Sequence, residues 1–174
     1  MKIIKWYVNL VDSLNEKVGY LAAWLSTALV LVVCYDVFTR YALNNSKVAV
    51  QEMEWHIFSV MFLIGAAYTL KKDKHVRVDV FYMKMPEKIR AWIDFLGNLI
   101  FLIPYSMLVI YTSINFVKFS WMSKEGSPDP GGLPGRYVLK AFVTVGFILL
   151  VLQGLAEALK SFSKIIGKDI QRSE

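Results

Sequence analysis

Three pairs of polar residues stand four positions apart within apolar stretches of the chain: Asp36 with Arg40, Glu52 with His56, and Asp94 with Asn98. That spacing puts both members of a pair on one face of an α-helix, within bonding distance of each other. A carboxylate beside an imidazole could belong to a metal site or a proton relay. A metal site needs more ligands, and the two histidines, His56 and His75, lie at opposite ends of one apolar run, with no second pair at metal-binding spacing. His56 therefore reads as an interfacial hydrogen-bonding residue. An ionisable residue inside a membrane helix is a functional candidate by default, but Asp36 has Arg40 within reach, and the two read as a structural ion pair. The chain has no nucleophile elbow, no HExxH, no phosphate loop and no cysteine pair. Its one cysteine, Cys34, reads as a small packed side chain. The chain is thus read as no enzyme, with no metal and no cofactor of its own.

The elements that must position these residues are membrane spans. The chain has 174 residues, 56% of them hydrophobic, a balance too apolar for an ordinary soluble domain. The net charge of +6 resides mostly in short segments between apolar runs, which points to a membrane surface rather than to nucleic acid. The pattern predicts one membrane domain: an amphipathic interfacial helix over 1–17, spans over 18–41, 51–70, 92–119 and 138–159, a basic connection over 71–91, a loop over 120–137 and a basic tail over 160–174. In the first segment Ile3, Tyr7, Leu10, Leu14 and Val18 recur at helical spacing and predict an amphipathic helix whose apolar stripe lies in the membrane interface or packs against another subunit. Val76, Val78 and Val80 alternate with Arg77 and Asp79, an extended pattern, and Pro86 then opens a short interfacial helix before the third span. Pro104 predicts a kink in mid-span.

The second span is the most informative. Its uncharged run from Trp55 to Leu70 covers only about 24 Å at 1.5 Å per residue, short of a hydrocarbon core of about 30 Å. The helix must run back through Gln51 to Glu54, which makes this span a protein contact surface, with Gly65, Ala66 and Ala67 as a small-residue patch for close approach. The segment Ser123–Arg136, SKEGSPDPGGLPGR, holds three prolines and four glycines and predicts a rigid loop, which either links two spans or presents backbone to a partner. Fourteen Lys/Arg fall before the first span, in the second connection and in the tail, against six elsewhere (40, 47, 118, 124, 136 and 140). The positive-inside rule then places both termini in the cytoplasm and the Ser123–Arg136 loop outside.

The order DVFTRY, QEMEWHIF and FLIGAAYTLKKDKHVRVDVFY, with SPDPGGLPGRYVLK before the last span, resembles the small membrane subunit (the DctQ-like small permease component) of tripartite ATP-independent periplasmic (TRAP) transporters. The resemblance covers about Leu14 to Leu159. Thr144 stands where members of this branch often carry proline, so no kink is carried over to the fourth span. The resemblance implies an all-α bacterial inner-membrane protein that anchors the stationary scaffold of a large multi-span elevator subunit. Sodium coupling and an organic-acid substrate would belong to that subunit, with a periplasmic binding protein delivering the substrate. Large-subunit contact is expected at Glu52, Trp55, His56, Gly65, Ala66 and Ala67. Contact with the periplasmic protein is expected at Pro128, Asp129, Pro130, Gly131, Gly132, Leu133, Pro134 and Arg136. The alternative is a self-sufficient four-span transporter acting as a homo-oligomer, with Asp36 or Asp94 carrying a coupling proton.

Overall fold

A computed structural model describes residues 2–72, 82 and 84–167, and among these every regular element is helical. Helix α1 runs over Lys2–Ala42, α2 over Val48–Lys71, α3 over Glu87–Leu96 and, after a π-helical turn at Gly97–Leu102, α4 over Ile103–Met122; α5 spans Arg136–Ile165. Four helical stretches are long and apolar enough to cross a membrane: α1, α2, the stretch Glu87–Met122, and α5. The chain is an all-α membrane protein with the four spans its hydropathy predicts. The extended pattern at 76–80, His75 and the end of the basic tail lie outside the described residues.

Helix α5 is the hub, packing against α1, α2, α3, the π-helical turn and α4, while α1 also pairs with α2. The bundle therefore has two ends. One carries both termini; the other carries the α1–α2 connection and the loop before α5. At the loop end Asn44 takes a left-handed φ of 49°, and the Asn45 N–H reaches back six residues to the Thr39 carbonyl at 3.0 Å. That bond closes the end of the helix around a left-handed residue, a conformation asparagine tolerates better than a β-branched residue.

The structure departs from the sequence reading at several points. The amphipathic segment 1–17 is not a separate helix but the first turns of α1, continuous with the first span. Its apolar stripe stays on the outside, with Ile3, Leu10 and Leu14 exposed, while Val8, Val11, Asn15, Gly19 and Ala22 make the contacts within the bundle. In lipid, large apolar side chains gain nothing by leaving the solvent, so small and polar residues choose the helix contacts. Cys34 is likewise on the exposed surface. The short helix before the third span runs directly into that span, and Pro104 is accommodated by the preceding π-helical turn. There the Ile103 N–H bonds the Asn98 carbonyl five residues back, shifting the ladder ahead of a residue that has no N–H to give.

The same selection recurs along the other seams. Ser106, Ser113 and Ser120, seven residues apart, form the buried edge of α4, and the Ser113 hydroxyl meets that of Thr144 on α5 at 2.9 Å. Ala67 of α2 is fully buried in a cluster with Ala22, Ile64 and Leu149. Gly146 lets α5 lie directly on the α2 backbone: a Cβ there would sit 2.7 Å from the Leu63 carbonyl oxygen.

At the terminal end a buried polar network ties α1 to α5. Asn15 Nδ2 donates to Gln153 Oε1 at 2.7 Å, and Gln153 Nε2 donates to Asp12 and Glu157, each at 2.9 Å. Lys160 pairs with both acids at 2.8 Å. Lys71 of α2 joins from the side, donating to the Asp12 carbonyl and to Glu16, each at 2.9 Å.

Two substitutions separate close helix approach from bulk. Gly146→Val should lower the thermal midpoint of the purified protein by an overpacking cost of about 1–3 kcal/mol. Gly65→Ala, whose Cβ would meet Ala22 at an ordinary 3.8 Å, should leave it unchanged. Equal midpoints for both variants would mean that α5 does not rest on the α2 backbone.

Candidate functional site

Glu52 lies in the first turns of α2 and would be a lone acid at the edge of an apolar helix. The structure gives it an interior role instead. Its residue is 4% exposed, and both carboxylate oxygens are taken by the segment between α4 and α5. Oε1 accepts from the Ser127 hydroxyl, and from Arg136 Nη2 at 3.3 Å; Oε2 accepts from the Leu133 backbone N–H at 2.5 Å. Hydrogen bonds to an ionised acceptor are roughly twice as strong as neutral ones, so one side chain fixes the loop at three points across 81 or so positions of sequence.

The loop's own backbone completes the brace. Ser127 N–H bonds the Leu133 carbonyl, Gly132 N–H bonds that of Asp129, and Arg136 N–H bonds that of Glu125, all at 3.0 Å. Gly132 is required at this spot, because a Cβ would stand 2.7 Å from Glu52 Oε2. Gly131 and Gly135 both sit at φ 80°, where side chains are strained. The proline- and glycine-rich segment thus becomes a closed loop whose tip, Pro128 to Gly131, is exposed.

A second brace stands beside it. Lys140, one turn into α5, pairs with Glu125 and lies 4.0 Å from the Phe116 ring centre. The hydrogen bond from Lys140, and then one involving Ser120, hold the Glu125 carboxyl below the usual carboxylate range.

The residues expected to contact a large subunit are mostly used within the chain. His56 Nδ1 bonds the Glu52 carbonyl at 2.6 Å, and its ring lies 4.0 Å from that of Trp55. Arg136 covers the other side of Trp55, with its guanidinium 5.6 Å from the ring centre. Gly65 faces Ala22 and Ala67 is fully buried, so the small-residue patch packs inside the bundle; Ala66 is half-buried. Of this set Trp55, 38% exposed, keeps the largest free edge. Asp36 is buried and bonded to Arg40, while Asp94 accepts from the Tyr82 hydroxyl at 2.5 Å. Among the described residues no three of His, Cys, Asp and Glu gather as metal ligands would.

Sequence reasoning placed Glu52 and the loop on two separate surfaces; the structure joins them. The spacing of more than seventy residues between Glu52 and Ser127 carries no periodic signal. The one clue was the short apolar run of α2, which carries Glu52 to the membrane edge.

Removing the clamp should loosen the loop selectively. Glu52→Gln should speed amide exchange at Leu133 by at least about tenfold, from loss of a charge-assisted bond of about 1.5–3 kcal/mol, with exchange in the α5 core unchanged; equal rates in the two proteins would refute the clamp. For Glu125, a depressed carboxyl contributes stability that is fully present above the ordinary carboxylate range and lost as pH falls through the lowered value. Glu125→Gln should therefore lower the thermal midpoint at neutral pH, and the gap to wild type should close only in strong acid.

A model of the family described as tripartite ATP-independent periplasmic transporters, DctQ component, matches residues 29–164. The sialic acid TRAP transporter small permease protein SiaQ of Vibrio cholerae serotype O1 is 35% identical over 66 residues, 38% of each chain. The C4-dicarboxylate TRAP transporter small permease protein DctQ of the same organism is 26% identical over 124 residues, 68% of this chain and 52% of the relative. The chain thus spans about half or less of the length of these two relatives. The family match covers α5 and most of the bundle around it, including Glu52 and the loop it clamps, and this chain belongs to the DctQ family of TRAP transporter components.

Proposed function

We propose that the chain is the non-catalytic small membrane subunit of a TRAP transporter. In this reading it sits in the bacterial inner membrane with both termini cytoplasmic. It holds the stationary scaffold of a large elevator-type permease that takes up an organic acid with sodium, after delivery by a periplasmic binding protein. The observation that carries the proposal is the family match over residues 29–164. Both relatives named above are small permease proteins, one of a sialic acid and one of a C4-dicarboxylate transporter, and both of those solutes are carboxylates.

The geometry supports a frame rather than a pathway. Asp36, Glu52 and Asp94 each accept a hydrogen bond from a donor of this chain, so the acids that a proton-coupled carrier would use are engaged in holding its own helices and loop. Substrate and sodium then belong to the larger subunit. Because Glu52, His56, Gly65 and Ala67 face inward, that subunit is taken to meet the large apolar side chains along the outer helix faces. The clamped tip, Pro128 to Gly131, is the surface offered to the delivering protein.

Reconstitution in liposomes tests the assignment. Uptake of the acid should require this chain, its large subunit and the binding protein together; uptake by this chain alone would overturn it. Asp129→Arg, which changes an exposed side chain at the tip and keeps the backbone groups that brace the loop, should reduce uptake severalfold when the binding protein is limiting and leave it unchanged at saturation. Unaltered uptake under limiting protein would reduce the loop to a connector.

A further inference from the structure

Between α2, α4 and the start of α5 lies a groove of about 430 Å³, within the range of about 300–1,000 Å³ typical of ligand sites. Its walls are apolar, formed by Phe58, Phe62, Phe116, Leu139 and Val143, with Trp55 at the rim. Two cations of α5, Arg136 and Lys140, lie one helical turn apart at its loop end. From Arg136 to Val143 the groove descends about 10 Å into the apolar zone at 1.5 Å per residue. We propose that this groove seats an anionic phospholipid, its phosphate against Arg136 and Lys140 and an acyl chain between α2 and α4.

The donors carry the choice of headgroup. Arg136 gives Nη2 to Glu52 at 3.3 Å, a longer bond than that acid makes to Leu133, while its buried Nε–H has no acceptor among the described residues. A buried donor left unmade is costly, and a guanidinium matches phosphate through several parallel N–H bonds. Lys140 spends one bond on Glu125 and rests its ammonium on the Phe116 face, which keeps the charge at the groove instead of in bulk water. Glu52 and Glu125 match the two cations in formal charge, so the headgroup preference rests on which donors face the groove. Glu52 directs both carboxylate oxygens at the loop, where they accept from Ser127 and Leu133, and Glu52 and Glu125 are not among the groove-lining residues, whereas Arg136 and Lys140 are. A zwitterionic lipid brings its own ammonium into this cluster and gains less. The length and apolar lining suit an acyl chain, which a free phosphate lacks. The proposal holds whichever large subunit the chain joins.

The test uses the full chain in detergent, with phosphatidylglycerol and phosphatidylcholine of matched acyl length. Native mass spectrometry should show phosphatidylglycerol retained about tenfold better. Lys140→Gln should cut that preference severalfold, and Val143→Phe, which fills the groove without touching a charge, should reduce retention of both lipids. Should these variants fold poorly, phosphatidylglycerol with a photoreactive acyl chain, applied to the wild type, should label Phe58–Leu63 and Phe116 above the exposed Trp24 and Tyr111. Excess phosphatidylglycerol, and not phosphatidylcholine or inorganic phosphate, should suppress that labelling. Equal retention of the two lipids, or labelling spread evenly around the bundle, would overturn the proposal. So would loss of the bound lipid on assembly with the large subunit, which would assign the groove to a helix of that partner.

Discussion

Asn15 and Gln153 meet in the interior, both fully buried, and around them Asp12, Glu157, Lys160 and Lys71 close a network across three helices. The constraint behind it is the solvent. Lipid tails are as apolar as leucine, so a large hydrophobic side chain is equally well placed against lipid or against another helix. Association then rests on groups that lipid cannot satisfy and on residues small enough to bring backbones together. Each buried polar contact is modest, about 0.6–2 kcal/mol in such settings, but here they share atoms, so that losing one leaves others without a partner. The bundle is therefore organised inside out relative to a soluble one. Serines, glycines and amides occupy its seams, and aromatic rings such as Phe101, Tyr111 and Phe119 cover its exterior.

Helix α5 gathers these contacts because it carries both small and polar residues along one length. Gly146 admits the α2 backbone and Thr144 meets Ser113 of α4; Gln153 and Lys160 then take the α1 acid and amide. Its first turn also begins where the clamped loop ends, and Arg136 belongs to both. The two ends of the molecule are consequently fixed by different chemistry. The terminal end is held by a helix–helix network, and the loop end by one carboxylate that collects a hydroxyl, a backbone amide and a guanidinium. A part braced in this way at both ends suits a component that stays still while a neighbour moves, which is the role proposed for it beside an elevator-type permease.

Much of this was legible in the residues themselves. Long apolar runs with charged margins specify four crossing helices, because backbone amides in lipid must bond within their own segment. Three prolines and four glycines in fourteen residues exclude helix from the last loop. The four-residue spacing of Asp36 and Arg40 implies a shared face, and the order of short motifs carries the family. All of these are local, or depend on composition, and survive without knowledge of what touches what.

What the tertiary structure alone decided is which face of each helix turns inward and where the lone acids go. Hydrophobic periodicity marked the outer stripe of Ile3, Leu10 and Leu14, but not Val8, Val11 and Asn15, which the fold buries. A membrane removes the penalty on which that periodicity argument depends. His56, the partner one turn away, bonds the Glu52 carbonyl and not its carboxylate. The carboxylate's partners arrive from Ser127, Leu133 and Arg136, brought alongside only because α2 and α5 run parallel and in contact. Sequence settles a membrane helix because its bonds are local; it leaves the contacts between helices open because lipid makes so many faces nearly equal.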